Sequence, residues 1–213
     1  MDDPDDRPEA PSPHAPRLAR VWVVGSVGCG KSTLAARLGA LLESPVVHID
    51  DHIWLPGWRL RERGEMLDRV EARLAGERWV MEGNLGRDAT RLWAQVDRAD
   101  LVVWIDLPLR VTLRRLVWRC LRRALLRERV CNGNVETLRK SFLSGNSILL
   151  YAWRTRNLRR VIYRHMLRHR PHVRLRSARE VDGWLEALSL PLRARAAPGA
   201  REVDAIAHPR VLC

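Results

Sequence analysis

The stretch that decides the fold is VWVVGSVGCGKSTLAARLGALL, which runs from Val21 to Leu42. It opens with β-branched and aromatic residues that predict a buried strand ending at Gly25. It closes with leucines at helical spacing, beginning at Leu34, which predict a helix. The glycine-rich turn between strand and helix fits the pattern G-x-x-x-x-G-K-[ST] in full.

That pattern predicts a phosphate-binding turn. Successive backbone N–H groups of a glycine turn point into one concavity, and the N-terminus of the next helix adds the positive end of its dipole. Lys31 would reach the β- and γ-phosphates of ATP, and the Ser32 hydroxyl would ligate Mg²⁺. The alternative is an ordinary glycine turn, but a strand before it and a helix after it favour the phosphate site. The predicted ATP-binding residues are Gly25, Ser26, Gly28, Cys29, Gly30, Lys31, Ser32 and Thr33.

Further strands and helices alternate along the chain. The predicted strands are residues 20–24, 45–50, 78–82, 100–106 and 172–177. The predicted helices are residues 61–75, 88–96, 147–169 and 177–189, with another after Pro108. Such alternation predicts an α/β fold, a five-stranded parallel sheet with helices on both faces. Ligands in these folds bind at the carboxyl ends of the strands.

The length of 213 residues and the apolar content of 46% predict one folded domain over residues 17–190. Residues 1–16 are acidic and proline-rich, which predicts a disordered leader without a secretory signal. Residues 191–213 predict a disordered tail. No apolar run is long enough to cross a bilayer, so no membrane partner is predicted. The four cysteines form no CxxC pair, which argues against a zinc site and favours a reducing, cytoplasmic setting.

The formal net charge is +13, and nearly all positive charge is arginine, because Lys31 and Lys140 are the only lysines. A lysine in the glycine turn of such a chain indicates a site that needs a compact ammonium. Most of the excess charge lies between residues 109 and 179. Phosphoryl transfer needs cations on the transferring group, so Lys31, Arg115 and Arg119 are the predicted catalytic cations.

Three arginines, Arg127, Arg129 and Arg139, flank the loop CNGN at residues 131–134. A lid that supplies arginines on closure would bring charge to the reacting phosphate and expel water. We therefore predict a helical lid over about residues 128–146, although most arginines of this half are expected to be surface charge.

Carboxylates stand at the predicted strand ends. Asp50, beside Asp51, could accept the proton of an acceptor hydroxyl, orient it, or hold Mg²⁺ through water. The alternative for these acids is a helix cap or a solvated turn. Either Glu82 or Asp106 would complete the metal shell of Ser32, and the sequence does not choose between them.

Two tryptophans, Trp54 and Trp58, flank a Pro-Gly turn. A base could stack on them, or they could pack the loop onto the domain. His48 is predicted to be a buried or hydrogen-bonded histidine rather than a catalyst.

The segments HIDDHIWLPGW, WVMEGN and ADLVVWIDLP, followed by an arginine-rich helix, resemble the adenylate-kinase-related P-loop proteins often labelled DNA topology modulation proteins. The resemblance covers about residues 20–179 and implies a nucleoside-monophosphate-kinase-like fold with a mobile lid. Where the family has Asp before Gly-Asn, this chain has Glu82. The predicted acceptor side comprises Asp50, Trp54, Trp58, Glu82 and Asn84.

Three functions fit these observations. The first is a kinase that uses ATP and Mg²⁺ to phosphorylate a nucleotide, nucleoside or other small hydroxylated acceptor, as a monomer or homodimer. The second is an ATP-binding regulator that grips nucleic acid with its arginine-rich half. The third is a P-loop motor, which would need a bulkier chain. Since no helix-turn-helix, RRM or zinc-finger pattern is present, the kinase is favoured.

Overall fold

The computed structural model describes residues 18–85, 90–143 and 147–196. The strands are β1 Arg20–Gly25, β2 Val46–His48, β3 Trp54–Leu55, β4 Arg59–Leu60, β5 Trp79–Glu82, β6 Leu101–Ile105, β7 Arg129–Val130, β8 Asn134–Val135 and β9 His172–Leu175. The helices are α1 Lys31–Leu41, α2 Ile49–Ile53, α3 Arg63–Leu74, α4 Trp93–Val96, α5 Leu109–Leu125, α6 Ile148–Leu167 and α7 Ala178–Ala196. Short helical turns, Thr90–Leu92 and Arg139–Leu143, precede α4 and α6.

Five parallel strands form the central sheet in the order β2-β5-β1-β6-β9. Val23 of β1 is paired with Glu82 of β5 and with Val103 of β6, and Gly25 is paired with Ile105. The carboxyl ends of the three central strands therefore meet at one edge of the sheet, where ligands bind in this class of fold. The predicted five-stranded parallel sheet is confirmed.

Helices cover both faces of the sheet because alternate strand residues point in opposite directions. Trp22 and Val24 face a core shared with α3 and α6, whereas Val21 and Val23 face a core shared with α1 and α7. All four of these β1 side chains are buried. The predicted three-layer architecture is confirmed.

The second strand ends earlier than predicted, at His48 rather than at Asp50. Asp50 and Asp51 instead lie in the first turn of the short helix α2. Two carboxylates at a helix N-terminus are favourable there, because they complement the positive end of the helix dipole. The prediction that these acids end a strand is therefore wrong, although they still follow its carboxyl end.

The segment predicted as a lid contains the antiparallel hairpin β7–β8 and the helical turn Arg139–Leu143, while its residues 144–146 lie outside the described residues. At the end of the domain, Ser177 opens α7 as predicted, with its hydroxyl accepting from the Glu180 N–H at 3.1 Å. Helix α7 continues to Ala196, beyond the predicted end near residue 189.

The predicted leader and residues 197–213 of the predicted tail lie outside the described part of the chain. Within the described part, no helix has the length and apolar character that crossing a bilayer requires.

Candidate active site

The turn between β1 and α1 has the backbone of a phosphate loop. Gly25, Gly28 and Gly30 all have positive φ, at 151°, 80° and 103°. A Cβ on Gly25 would lie 2.5 Å from the carbonyl oxygen of Ile105, and one on Gly28 would lie 2.9 Å from that of Thr112. Glycine is required at both positions, because β6 approaches the loop backbone closely at Gly25 and α5 does so at Gly28.

The N-terminus of α1 is open to a ligand. Gly30 is its N-cap, no side chain caps the helix, and its first turn contains no acid. The free N–H groups and the helix dipole therefore favour an anion at this point. Lys31 lies over the loop, with its Nζ donating to the Ser26 carbonyl oxygen at 3.2 Å.

A cavity of about 550 Å³ extends from the phosphate loop to the start of α7. One wall is α5, whose Arg115, Trp118 and Arg119 face it, and Val181 of α7 also lines it. Arg115 donates to the Cys29 carbonyl oxygen at 3.3 Å, and the buried Nε of Arg119 has no hydrogen-bond partner among the described residues. A cavity of this size suits a small organic ligand, and the guanidinium groups of Arg115 and Arg119 in its wall favour an anionic one.

Trp118 was not among the residues predicted from the sequence. Its side chain is 70% exposed in the free protein although it lies in the cavity wall. A flat, amphipathic ring left open beside a phosphate loop is suited to stacking on a nucleobase. The sequence places it only on an arginine-rich helix, and its orientation toward the loop depends on how α5 packs.

Glu82 is the acid that the fold brings to Ser32. Its Oε1 accepts from the Ser32 hydroxyl at 3.0 Å and lies 2.9 Å from Nδ1 of His48. Burial alone would raise the pKa of Glu82, but the His48 hydrogen bond, the Lys31 charge and the Ser32 hydrogen bond outweigh it and lower that pKa. The contact with Glu82 in turn raises the pKa of His48. The contact itself agrees with the prediction of a hydrogen-bonded histidine.

Ser32 and Glu82 fit Mg²⁺, which prefers hard oxygen donors such as a hydroxyl and an ionised carboxylate. No group of three His, Cys, Asp or Glu side chains placed to hold a metal occurs in the part of the chain that the structure describes. The protein thus offers few ligands of its own here, and Mg²⁺ commonly completes its shell with water and substrate phosphates.

Asp106, the other candidate for the metal shell, has different partners. Its Oδ1 accepts from Arg160 at 2.7 Å, and its Oδ2 accepts from Arg174 at 2.7 Å. The carboxylate is buried between these two guanidiniums, which satisfy both of its oxygens. The structure therefore brings Glu82 and not Asp106 to the Ser32 hydroxyl.

Asp50 lies in the electrostatic environment of the loop. Desolvation of its carboxyl group, and then the charge of Glu82, raise the pKa of Asp50 against the opposing charges of Lys31 and Arg119. A carboxylate with a raised pKa is a stronger base than one with an ordinary pKa. As whole residues, both Asp50 and Asp51 are exposed to solvent.

The two tryptophans of the Pro-Gly turn contact each other. The ring centroids of Trp54 and Trp58 are 5.6 Å apart and their planes meet at 77°. The Trp58 indole N–H donates to the Val135 carbonyl oxygen at 3.1 Å. Both side chains are half-buried, so each packs the loop and also retains exposed ring surface.

Asn84 joins the phosphate loop to α6. Its Oδ1 accepts from the Tyr163 hydroxyl at 2.6 Å and from the Gly25 N–H at 3.4 Å. Two arginines of the same helix, Arg156 and Arg159, carry buried nitrogens, Nε and Nη1, without a hydrogen-bond partner among the described residues. These α6 residues were missed at the sequence level. The available signal was composition, since α6 contains five arginines and no acid.

No protein-family model matches the sequence, and no curated protein matches it. The structure is similar to that of shikimate kinase from Acinetobacter baumannii in complex with shikimate, with a TM-score of 0.51 and 19% identity over 84% of this chain and 95% of that one. A gluconokinase from Sinorhizobium meliloti 1021 is similar at a TM-score of 0.48, with 18% identity over 84% of this chain and 98% of the other. A deoxyadenosine kinase from M. mycoides is similar at 0.49, with 14% identity over 82% and 98%.

At these identities the likeness concerns the fold. The protein has a three-layer α/β P-loop fold, which it shares with that shikimate kinase. The narrower resemblance to DNA topology modulation proteins stays a prediction.

Proposed function

We propose that this protein is an ATP-dependent kinase that transfers the γ-phosphate to a hydroxyl group of a small acceptor. The observation that carries the proposal is the uncapped N-terminus of α1, which opens with its phosphate loop into the cavity lined by Arg115 and Arg119. Phosphoryl transfer depends on positioning and on cations around the transferring group, and this cavity supplies both.

In this proposal the loop binds the triphosphate through its backbone N–H groups, and Lys31 binds the β- and γ-phosphates. Trp118, in the cavity wall, stacks on the base. Ser32 and Glu82 hold Mg²⁺, which neutralises charge on the phosphates when it is bound.

The acceptor enters from the side of Asp50 and the Trp54–Trp58 turn. Its hydroxyl oxygen attacks the γ-phosphorus, the bond from that phosphorus to the β–γ bridging oxygen breaks, and ADP leaves. Asp50 orients the hydroxyl and takes its proton, while Arg115 and Arg119 stabilise the charge of the transferring group. The unpaired nitrogens of Arg156 and Arg159 are further candidates for that role.

The experiment is a transfer assay with γ-labelled ATP and Mg²⁺ against nucleoside monophosphates, nucleosides, polyols and hydroxy acids. We expect labelled product from one acceptor class above the background of ATP hydrolysis. Lys31→Ala should abolish transfer because it removes the cation on the β- and γ-phosphates. Arg69→Ala is the control, since that arginine is exposed and paired with Glu65 on α3.

A second candidate function, nucleic-acid binding regulated by ATP, is favoured by the outer surface of α6, where the exposed Tyr151 and Trp153 neighbour the exposed Arg154. Nucleic-acid affinity would fall steeply with salt, whereas kinase turnover would change much less. Failure of transfer to every acceptor, together with salt-sensitive DNA or RNA binding, would replace the kinase proposal with this one.

A further inference from the structure

The hairpin β7–β8 is attached to the Trp54–Trp58 turn by a buried asparagine. The Oδ1 of Asn134 accepts from the Trp58 N–H at 2.7 Å, and its Nδ2 donates to the Leu55 carbonyl oxygen at 3.0 Å. Leu55 and Trp58 are the residues on either side of Pro-Gly, so a single side chain bonds both ends of the turn. Asn134 is only 4% exposed, and burial makes the loss of such bonds costly.

The tip of the hairpin makes a second attachment. The Nδ2 of Asn132 donates to the carbonyl oxygens of Asp51 and Trp54, each at 2.6 Å. Asn132 has a φ of 64°, a conformation that asparagine adopts more readily than most residues. Together with the hydrogen bond from the Trp58 indole to the Val135 carbonyl oxygen, these contacts attach the turn to the hairpin at several points.

The other end of the hairpin is attached to the nucleotide cavity. Glu136 directly follows β8, is buried, and accepts from Nη1 of Arg123 at 2.7 Å. Arg123 and its neighbour Arg122 line the cavity. A chain of direct contacts therefore runs from the cavity wall through Arg123 and Glu136 to β8, and through Asn134 to the turn.

We propose that Asn134 is a positioning residue that links occupancy of the nucleotide cavity to the geometry of the Trp54–Trp58 turn. A nucleotide bound against α5 holds Arg123 and the hairpin, and Asn134 then holds the turn. This inference rests on the proposed function, in which the turn is the acceptor wall. Nucleotide binding would thus stabilise the acceptor wall, which favours transfer over hydrolysis.

The test is hydrogen exchange of the full chain, followed by mass spectrometry, with and without AMP-PNP and Mg²⁺. In the wild type, the nucleotide should slow exchange at residues 25–33 and also, by about threefold or more, at residues 54–60. In Asn134→Ala, slowing at 25–33 should remain and slowing at 54–60 should be lost. The matched control is Asn157→Ala, which changes an exposed asparagine of α6.

Because Asn134 is buried, its variant could lose the hairpin altogether. Asn132→Gly is the second variant, since glycine keeps the positive φ while removing two of the bonds to the turn. It should reduce nucleotide-dependent slowing at 54–60 and leave the thermal unfolding midpoint near that of the wild type.

Slowing at 25–33 without any at 54–60 in the wild type would overturn the link alone, and so would full slowing at 54–60 in both variants. If the nucleotide does not slow exchange at residues 25–33, the assignment of the ATP site is wrong. Both the proposed function and this inference would then be overturned. Slowing at both segments in a protein that phosphorylates no acceptor would leave the link standing and overturn only the kinase proposal.

Discussion

The Ser32 hydroxyl donates to Glu82 at 3.0 Å, which joins the first turn of α1 to the carboxyl end of β5. The two residues are 50 positions apart in the chain. Strand pairing accounts for their meeting, because β5 lies beside β1 in the sheet and β1 leads into the phosphate loop. An ionised carboxylate and a hydroxyl thus lie together where the fold receives phosphates.

Glu82→Gln should raise the concentration of Mg²⁺ needed for half-maximal transfer and lower the maximal rate, by about tenfold to a hundredfold. Glutamine is close to glutamate in size and can still accept from Ser32, but it carries no charge to attract the ion. The measurement is a Mg²⁺ titration of transfer at saturating ATP. The matched control is Glu77→Gln, an exposed glutamate. An unchanged Mg²⁺ requirement in the Glu82 variant would place the ion elsewhere.

Asp50→Asn should reduce transfer by about a hundredfold or more, which is within the range of general-base catalysis. Asparagine keeps the size of the side chain but cannot take the hydroxyl proton. ATP affinity should change little, because the proposed contact of Asp50 is with the acceptor. Transfer kinetics and an ATP titration measure the two effects separately. If ATP binding falls as far as turnover, Asp50 serves the metal instead of the acceptor.

The same variant should be more stable than the wild type at neutral pH. Asp50 is exposed as a residue, but desolvation of its carboxyl group and the charge of Glu82 raise its pKa, so the folded state binds this proton more tightly than the unfolded state does. The charged carboxylate therefore destabilises the fold above its folded pKa, and this cost disappears as the pH falls below its unfolded pKa. Denaturant unfolding of both proteins at pH 7 and at about pH 3 measures the difference. Equal stability at pH 7 would contradict the raised pKa of Asp50 and would show that solvent screens its charge.

Much of the fold could be predicted because its signals are local. The strand, glycine turn and helix from β1 to α1 follow one another in the sequence, and each apolar run predicts its own strand. The choice between Glu82 and Asp106 is different, because the partners of Asp106, Arg160 and Arg174, lie 54 and 68 residues away. No local sequence pattern indicates that these two guanidinium groups form ion pairs with the Asp106 carboxylate.

The acceptor side shows the same limit. Trp54 and Trp58 could be proposed from their Pro-Gly turn, but the bond between Trp58 and Asn134 spans 76 residues. Whether the turn packs against a hairpin is decided by tertiary contacts, which a local sequence pattern does not encode. Likewise, a short helix replaces the predicted end of the second strand, and its two N-terminal acids favour it. The strand is predicted from its run of apolar residues, which takes no account of these acids.

Trp118→Ala should weaken ATP binding by roughly 1–3 kcal/mol, the range for loss of a base–aromatic stack. The ring is 70% exposed in the cavity wall, so its removal leaves the core of the domain intact. The matched control is Trp153→Ala, which removes a ring that is 60% exposed on α6 and does not line the cavity. Calorimetric titration with ATP and with inorganic triphosphate separates the base from the phosphates. Triphosphate affinity should be the same in both variants and the wild type, and only Trp118→Ala should lose ATP affinity. An equal loss for ATP and triphosphate would show that Trp118 shapes the phosphate site rather than stacking on the base.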